Sequence, residues 1–286
     1  MERRRDLLSS CDVIHQPGLN EDLAATAIWG AQTVTTMPGA MVDGVFSMWY
    51  GKSPGVDRSG DAFRHGNIGG AGEHGGVIAV AGDDPDARST NFPTSTIGAF
   101  ADWAMPVLFP GSTQDVLDLG LHGYALSRAA GLWVAMRMVT DLADGSGVAA
   151  VGPGRVVPLI PKVEYDGLPF RPKLRVGTPG APMKEAERDL FGPRTDLAAL
   201  YIQFNRLNPV VLDAPEARVG LVAVGKAFTD LRQALEQLGL DDAALRRAGI
   251  RLKKVVALSP VAPAEWREFA AGLSTIVVVE EKRPFV

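Results

Sequence analysis

The chain has 286 residues, of which 46% are hydrophobic and 22% charged, and its formal net charge is −4. This composition is typical of a globular protein of about two domains, and the negative charge disfavours nucleic acid as a partner. The single cysteine cannot form an intrachain disulfide, a cysteine-ligated iron–sulfur cluster or a cysteine-based zinc site. The sequence contains neither a long apolar run nor a secretory signal, so we expect a cytoplasmic protein without a membrane span.

The first clear element is a helix predicted over residues 21–33. Asn20 can cap its first turn, Glu21 lies at its positive end, and small apolar residues recur at helical spacing. Residues 42–49 are apolar, and periodicity leaves a strand and a buried helix turn both open. The elements predicted further on are a strand at 77–81, a short helix at 97–104, a strand at 106–110, a helix at 113–130 and a strand at 131–139.

A stretch rich in glycine and polar residues, 51–76, lies between the first two of these apolar segments. We expect a long loop here, and such loops inside compact domains are often functional. Gly70, Gly72 and Gly75 match the spacing of a dinucleotide fingerprint, but they precede a strand instead of following one. Their context therefore favours a tight or flexible turn over a phosphate-binding loop.

The amino-acid composition changes at the start of the second half of the chain. Proline and glycine are dense over residues 145–195, which predicts an irregular connector, and a helix is expected over 194–206. The C-terminal elements alternate as strand, helix, strand, helix and strand, at residues 218–225, 226–238, 252–258, 263–271 and 274–281. This order predicts a parallel sheet with right-handed crossovers. The expected fold class is α/β, with two three-layer parallel-sheet domains.

Several charged side chains are candidates for chemistry, each with a structural alternative. Arg58, Arg64 and His65 lie in the 51–76 stretch, where arginine could hold a carboxylate and histidine could titrate, although a loop of paired charges explains the same composition. Taken alone, Glu21 is better explained as a carboxylate stabilised by a helix dipole. Lys226, after a C-terminal strand, is expected to be a solvated lysine at a helix start. No cluster of histidine and acidic residues indicates a metal site.

Long segments of the chain resemble the fused indolepyruvate ferredoxin oxidoreductases and their 2-oxoacid oxidoreductase relatives. The segments are collinear over nearly the whole chain and comprise residues 16–30, 49–65, 74–84, 114–128, 225–235 and 279–283. The second of them, Trp-Tyr-Gly-Lys-Ser-Pro-Gly-Val-Asp-Arg-Ser-Gly-Asp-Ala-Phe-Arg-His, is the most specific. The resemblance implies a pyrimidine-type thiamine-diphosphate-binding domain at 1–150, truncated at its N-terminus, a connector with a helix at 151–214, and a transketolase-C-terminal-like domain at 215–286.

The resemblance also implies a reaction. The complete enzyme oxidatively decarboxylates an aryl 2-oxoacid to an acyl-CoA and reduces ferredoxin. Glu21 matches the family's cofactor-activating glutamate, whose carboxyl lies beside the pyrimidine N1′ of thiamine diphosphate. Arg58, Arg64 and His65 fall in the family's signature segment, and from their charge we expect them to bind the substrate carboxylate.

Three departures from the family pattern limit what this chain is expected to do alone. The family's opening strand and turn have no counterpart here, which predicts an internal fragment. The sequence lacks the Gly-Asp-Gly and Asn motif for diphosphate and Mg²⁺, and it lacks a Cys-x-x-Cys series for iron–sulfur clusters. We therefore expect half of a cofactor site, an inactive isolated chain, and Mg²⁺ and clusters bound in other parts. Pro93-Thr-Ser-Thr replaces the family's His-Gln-Ser-Glu run, which predicts changed specificity or lost activity if that segment faces substrate.

Two other interpretations remain open from the sequence. In one, the chain is a non-catalytic assembly module, a truncated relative whose exposed apolar surface pairs with other subunits. In the other, it is an unrelated nucleotide-binding protein, which rests on the glycine spacing alone. For the enzyme, the expected partners are the remaining domains or subunits in an oligomer, with the 2-oxoacid, coenzyme A and ferredoxin as reactants, and with neither nucleic acid nor membrane.

Overall fold

The computed structural model describes residues 4–165, 167–176 and 180–286, and it confirms the predicted α/β fold class. The helices are α1 (Arg5–Ser10), α2 (Glu21–Gln32), α3 (Ser53–Arg58), α4 (Gly60–Gly69), α5 (Ile97–Asp102), α6 (Thr113–Ala130), α7 (Thr140–Ala143), α8 (Ala181–Asp189), α9 (Thr195–Phe204), α10 (Lys226–Gln237), α11 (Asp242–Arg247) and α12 (Pro263–Ala270). The strands are β1 (Phe46–Lys52), β2 (Gly76–Asp83), β3 (Val107–Leu108), β4 (Val134–Val139), β5 (Glu164–Tyr165), β6 (Leu168–Pro169), β7 (Val210–Leu212), β8 (Val219–Val224), β9 (Ile250–Val255), β10 (Ala257–Ser259) and β11 (Thr275–Val279). Among the described residues, none of the helices combines the length and the hydropathy of a membrane-spanning segment.

The first sheet contains five of the described strands, in the order β1-β2-β4-β3-β10. Its first four strands are parallel, whereas β10 comes from the C-terminal part of the chain and pairs antiparallel with β3. Side chains alternate between the two faces of the sheet, as the period of a strand requires. Val77 and Ala79 pack in a cluster with α2 and α4, while Ile78 and Leu108 pack with α6 and α9, so the sheet is the middle of three layers.

The second sheet contains four of the described strands, in the order β11-β8-β9-β7. Strands β11, β8 and β9 are parallel, as the alternating pattern predicted. The antiparallel edge strand β7 and the additional helix α11 were not predicted. Val222 and Val255 of this sheet belong to the same apolar cluster as Val77 of the first sheet, so the two sheets share a continuous core.

The glycine-rich stretch 51–76 is largely helical, and the predicted long loop is therefore wrong. It contains α3, with Pro54 in its first turn, and α4. Glycine within α4 permits a close approach, because a Cβ on Gly66 would lie 2.4 Å from Cζ2 of Trp133. Packing against this buried ring outweighs the low helix propensity of glycine, which costs about 1 kcal/mol relative to alanine.

The connector between residues 145 and 195 is only partly irregular. It contains the hairpin of β5 and β6, the helix α8 and a π-helical turn that ends at Arg194. The buried guanidinium of Arg194 donates hydrogen bonds to the main-chain oxygens of Asn67 at 2.7 Å and of Ile68 at 3.0 Å. Desolvation lowers the pKa of Arg194 to about 10, so the side chain keeps its charge at neutral pH. This end of the connector is thereby attached to the C-terminal end of α4.

Candidate functional site

The candidate site lies at the carboxyl edge of the first sheet, where β1, β2 and β4 end side by side. Ligands of parallel α/β sheets bind at this edge because the strand ends open into loops there. Asn20 caps α2 by accepting a hydrogen bond from the Leu23 amide at 2.8 Å, which places Glu21 in the first turn of the helix. The buried indole of Trp49, on β1, donates from Nε1 to the main-chain oxygen of Glu21 at 3.0 Å. The start of α2 is therefore anchored to the last half of β1.

The carboxyl group of Glu21 is directed by α3, the short helix that follows β1. Gly55 lies against the Glu21 side chain so closely that a Cβ on it would be 2.6 Å from Cγ. Arg58, one turn further along α3, has its Nη1 3.9 Å from Oε2 of Glu21, which is beyond hydrogen-bond distance. The Glu21 side chain is 42% exposed. A carboxyl in this position is held in direction and still accessible to a ligand.

The three predicted substrate-binding residues have different charged neighbours. Arg58 lies beside Glu21. Arg64, on α4, pairs with Asp102 at 2.6 Å and lies over the ring of Trp103. His65 lies one residue further along α4, with Nδ1 3.4 Å from a carboxylate oxygen of Asp61. For Arg64 and His65, the arrangement matches the alternative of paired surface charges.

The loop after β2 is held by Asp84. Its carboxylate accepts hydrogen bonds from the main-chain amides of Ser89 at 2.5 Å, Thr90 at 2.8 Å and Arg88 at 2.9 Å. These bonds, with that from Ser89 the strongest, hold the pKa of Asp84 far below its usual range. Lys52, at the end of β1, donates to the main-chain oxygen of Ser89 at 2.8 Å. The loop is thus closed on itself and tied to the strand beside Glu21.

The segment in which the chain departs from the family, Pro93-Thr-Ser-Thr, supports the same loop from within. Thr94 is buried, and its hydroxyl accepts a hydrogen bond from the main-chain amide of Asp84 at 2.9 Å. Thr96 is buried as well and donates from its amide to Oδ2 of Asp83 at 2.9 Å. The two threonine side chains therefore serve the loop's own structure and do not project outward.

A buried charge cluster lies near the end of β4, and no local sequence pattern indicates its partners. The guanidinium of Arg137, 1% exposed, binds Oδ2 of Asp83 through Nε at 2.7 Å and stacks over the ring of Phe109. Its Nη2 lies 3.5 Å from Oε2 of Glu281, in the segment after β11. Burial raises the pKa of Glu281, and Arg137 opposes that rise. An arginine within an otherwise apolar strand was the one available signal of a buried ion pair.

The glycine motif and Lys226 both have structural roles. The main-chain amides of Gly72 and Gly76 donate to the buried Oε1 of Gln32, at 3.3 and 3.1 Å. The main-chain amide of Gly75 donates to the main-chain oxygen of Gly72 at 2.9 Å, so the turn predicted from the context of the glycines is confirmed. Lys226 forms an ion pair with Asp230 on the surface of α10, in agreement with a solvated lysine.

Comparison with known proteins finds the family that the sequence motifs resemble. The family model of the indolepyruvate ferredoxin oxidoreductase middle domain matches residues 208–286. Indolepyruvate oxidoreductase subunit IorA of Methanothermobacter thermautotrophicus is 28% identical over 86% of this chain and 37% of its own length. The corresponding subunit of Archaeoglobus fulgidus is 26% identical over 75% of this chain and 32% of its own length. The chain therefore spans about a third of the length of the curated relatives that it matches.

Solved structures show the same fold. A 2-oxoglutarate:ferredoxin oxidoreductase from Magnetococcus marinus superposes with a TM-score of 0.63 at 16% identity, over 95% of this chain and 50% of that one. Transketolase from Leishmania mexicana superposes with a TM-score of 0.52 at 13% identity, over 91% of this chain and 30% of that one. At these identities the likeness concerns the arrangement of strands and helices.

Proposed function

We propose that this chain, which is related to the indolepyruvate ferredoxin oxidoreductase family, supplies the cofactor-activating carboxyl of a thiamine-diphosphate-dependent 2-oxoacid:ferredoxin oxidoreductase. The observation that carries the proposal is the position of Glu21. Its side chain is 42% exposed, and its carboxyl lies at the carboxyl edge of a parallel sheet, 3.9 Å from the basic neighbour Arg58. It is thus available for a hydrogen bond to a bound ring.

The residues around Glu21 fit the pyrimidine half of the cofactor. When bound, thiamine diphosphate would supply the electron sink for decarboxylation of a 2-oxoacid. Glu21 would exchange a proton with the pyrimidine N1′ through its carboxyl, which is general acid–base work for a positioned side chain. Trp49 would keep the start of α2 in place by its hydrogen bond to the Glu21 main chain.

Arg58 is the residue that we assign to the substrate carboxylate. Its side chain is 63% exposed and shares the edge of the sheet with Glu21. A guanidinium can bind a carboxylate through two parallel hydrogen bonds, which orients a 2-oxoacid as well as attracting it. Arg64 and His65 take no direct part in this assignment, because Asp102 and Asp61 already engage them.

The rest of the catalytic apparatus is proposed to lie outside this chain. The curated relatives are named as subunits, and the chain spans 37% of the first of them. In our proposal, other domains or subunits hold the diphosphate, Mg²⁺ and the iron–sulfur clusters, and the assembled cytoplasmic oligomer converts an aryl 2-oxoacid and coenzyme A to an acyl-CoA with ferredoxin as acceptor. The isolated chain should accordingly bind thiamine diphosphate poorly and lack turnover.

The test is Glu21→Gln in a complex reconstituted with the remaining subunits. The amide keeps the shape of the side chain and removes its acid–base function, so turnover should fall about 10²–10⁴-fold. Asp22→Asn, which removes a charge from the same helical turn, is the matched control and should leave turnover unchanged. Unchanged turnover in Glu21→Gln would refute the catalytic assignment.

The assembly module remains a second candidate, because two sheet edges expose apolar side chains. On the edge strand β1, Phe46, Met48 and Tyr50 are 57%, 46% and 54% exposed. On the edge strand β11, Ile276 and Val277 are 43% and 45% exposed. Edge strands of this kind pair with other chains. If the chain serves only assembly, Glu21→Gln should change neither the stoichiometry nor the activity of the complex.

A further inference from the structure

Gly55 makes an unusually close approach to the side chain of Glu21. A Cβ built on Gly55 would lie 2.6 Å from Cγ of Glu21, and 3.2 Å from both its Cβ and its Cδ. Contacts of 2.6 Å between carbon atoms do not occur in folded proteins, so any larger residue at this position would require Glu21 to move. The absence of a side chain at position 55 is therefore a condition for the observed direction of the Glu21 carboxyl.

The backbone of Gly55 does not itself require glycine. The residue is buried within α3, and it is not among the glycines of positive φ. At such a helical position alanine is favoured over glycine by about 1 kcal/mol. The glycine is thus unfavourable for the local helix, and the contact with Glu21 is the feature of its surroundings that explains it.

Two residues in one turn of α3 lie next to the Glu21 side chain. Gly55 contacts the methylene carbons, and Arg58, three residues later on the same helical face, lies 3.9 Å from Oε2. Trp49 holds the main chain of Glu21 through its indole N–H. Three residues of β1 and α3 thus contact different parts of Glu21: Trp49 the main chain, Gly55 the methylene carbons and Arg58 the carboxyl group.

We propose that Gly55 is a positioning residue, which acts through Glu21 by leaving free the space that the observed rotamer needs, so that the carboxyl is directed towards the edge of the sheet. This inference rests on the proposed function and deepens it, since a misdirected carboxyl matters only if Glu21 acts on a ligand. The partly exposed Glu21 side chain can change rotamer at little cost. A methyl group at position 55 should therefore redirect the carboxyl without unfolding the chain.

The first test is structural and needs neither cofactor nor partner. The chain is labelled with ¹³C-carboxyl glutamate, and the Glu21 signal is identified by its absence in Glu21→Gln. In Gly55→Ala this signal should shift, because the distance to Arg58 changes. In Gly30→Ala, on α2 in open space, it should not shift. An unshifted Glu21 signal in Gly55→Ala would overturn the proposal.

The second test is kinetic and uses the reconstituted complex. Misplacement of a catalytic group by about 1 Å can cost about 10²-fold in rate, so Gly55→Ala should lower kcat by about 10–100-fold. The KM for the 2-oxoacid should change little. A fall in kcat without a change in KM would not result from loss of the fold. If kcat is normal in Gly55→Ala and lost in Glu21→Gln, the positioning role is wrong and the proposed function stands. If kcat is normal in Glu21→Gln, the proposed function itself fails.

A double variant covers the case in which Gly55→Ala does not fold. Glu21→Ala removes the Cγ that the new methyl group would meet, and leaves only a Cβ at 3.2 Å. Gly55→Ala combined with Glu21→Ala should then regain the unfolding midpoint of Glu21→Ala alone. Failure of the double variant to fold would show that position 55 acts on something other than Glu21, and would overturn the proposal.

Discussion

Nη2 of Arg137 lies 3.5 Å from Oε2 of Glu281, and this pair joins β4 of the first sheet to the segment that follows the second sheet. Arg137 is buried, so protein groups must compensate its charge, and Asp83 at 2.7 Å supplies the other half of that compensation. Lys282 reinforces the link by donating to the main-chain oxygen of Pro85 at 3.0 Å. The segment after β11 is thereby attached to the edge of the sheet that carries Glu21.

Glu281→Gln should change the pH dependence of stability in a defined direction. Burial raises the pKa of Glu281, and the carboxylates of Asp86 and Asp141 add to that rise. A carboxyl whose pKa is raised by folding holds its proton more tightly in the folded state. The stability of the wild type relative to the variant is therefore greatest below the ordinary pKa of glutamate, and falls as pH rises through the raised value.

Urea unfolding of both proteins from about pH 4 to about pH 8 measures this difference. Glu268→Gln, an exposed residue on α12, is the control and should show no such trend. A constant difference between wild type and Glu281→Gln across the range would mean that Glu281 titrates normally.

Gln32→Leu should destabilise the fold without touching the edge that carries Glu21. The Gln32 amide is 2% exposed, accepts from the amides of Gly72 and Gly76, and donates to the main-chain oxygen of Val45 at 2.8 Å. Leucine would leave these groups buried and without a hydrogen-bond partner, which destabilises the folded state by about 1–3 kcal/mol for each group. With three such groups, we expect the free energy of unfolding to fall by at least about 3 kcal/mol. Chemical denaturation measures this free energy. Gln233→Leu, at an exposed position, is the control. An equal loss of stability in the two variants would contradict the assigned role of Gln32.

Gly66→Ala should destabilise the packing of α4 against the first sheet. The new methyl carbon would lie 2.4 Å from Cζ2 of the buried Trp133, which has no space to move. Overpacking of this kind costs about 1–3 kcal/mol. Gly98→Ala, on α5 with nothing within 4 Å, should be neutral or stabilising. Thermal unfolding that ranks the two variants in the opposite order would show that α4 is free to shift.

Local patterns in the sequence predicted the elements whose stabilising contacts lie within a few residues. Asn20 caps α2 through the Leu23 amide, as its residue type before a periodic helix indicated. The alternation of the C-terminal part likewise predicted β8, α10, β9, α12 and β11. Because the position of Glu21 in the first turn of α2 depends on such a local cap, it was predictable as well.

Local sequence features thus predicted the α/β class, most of the elements and the start of the helix that carries Glu21, because caps and periodicity are properties of neighbouring residues. The tertiary structure alone decided that Arg58 lies beside Glu21 while Arg64 pairs with Asp102. It also decided that β10 joins the first sheet, and that Arg137 meets Glu281 across the chain. These contacts join residues far apart in sequence, which local patterns do not relate. Those of β10 and Arg137 also depend on burial that exists only once the two sheets have packed together.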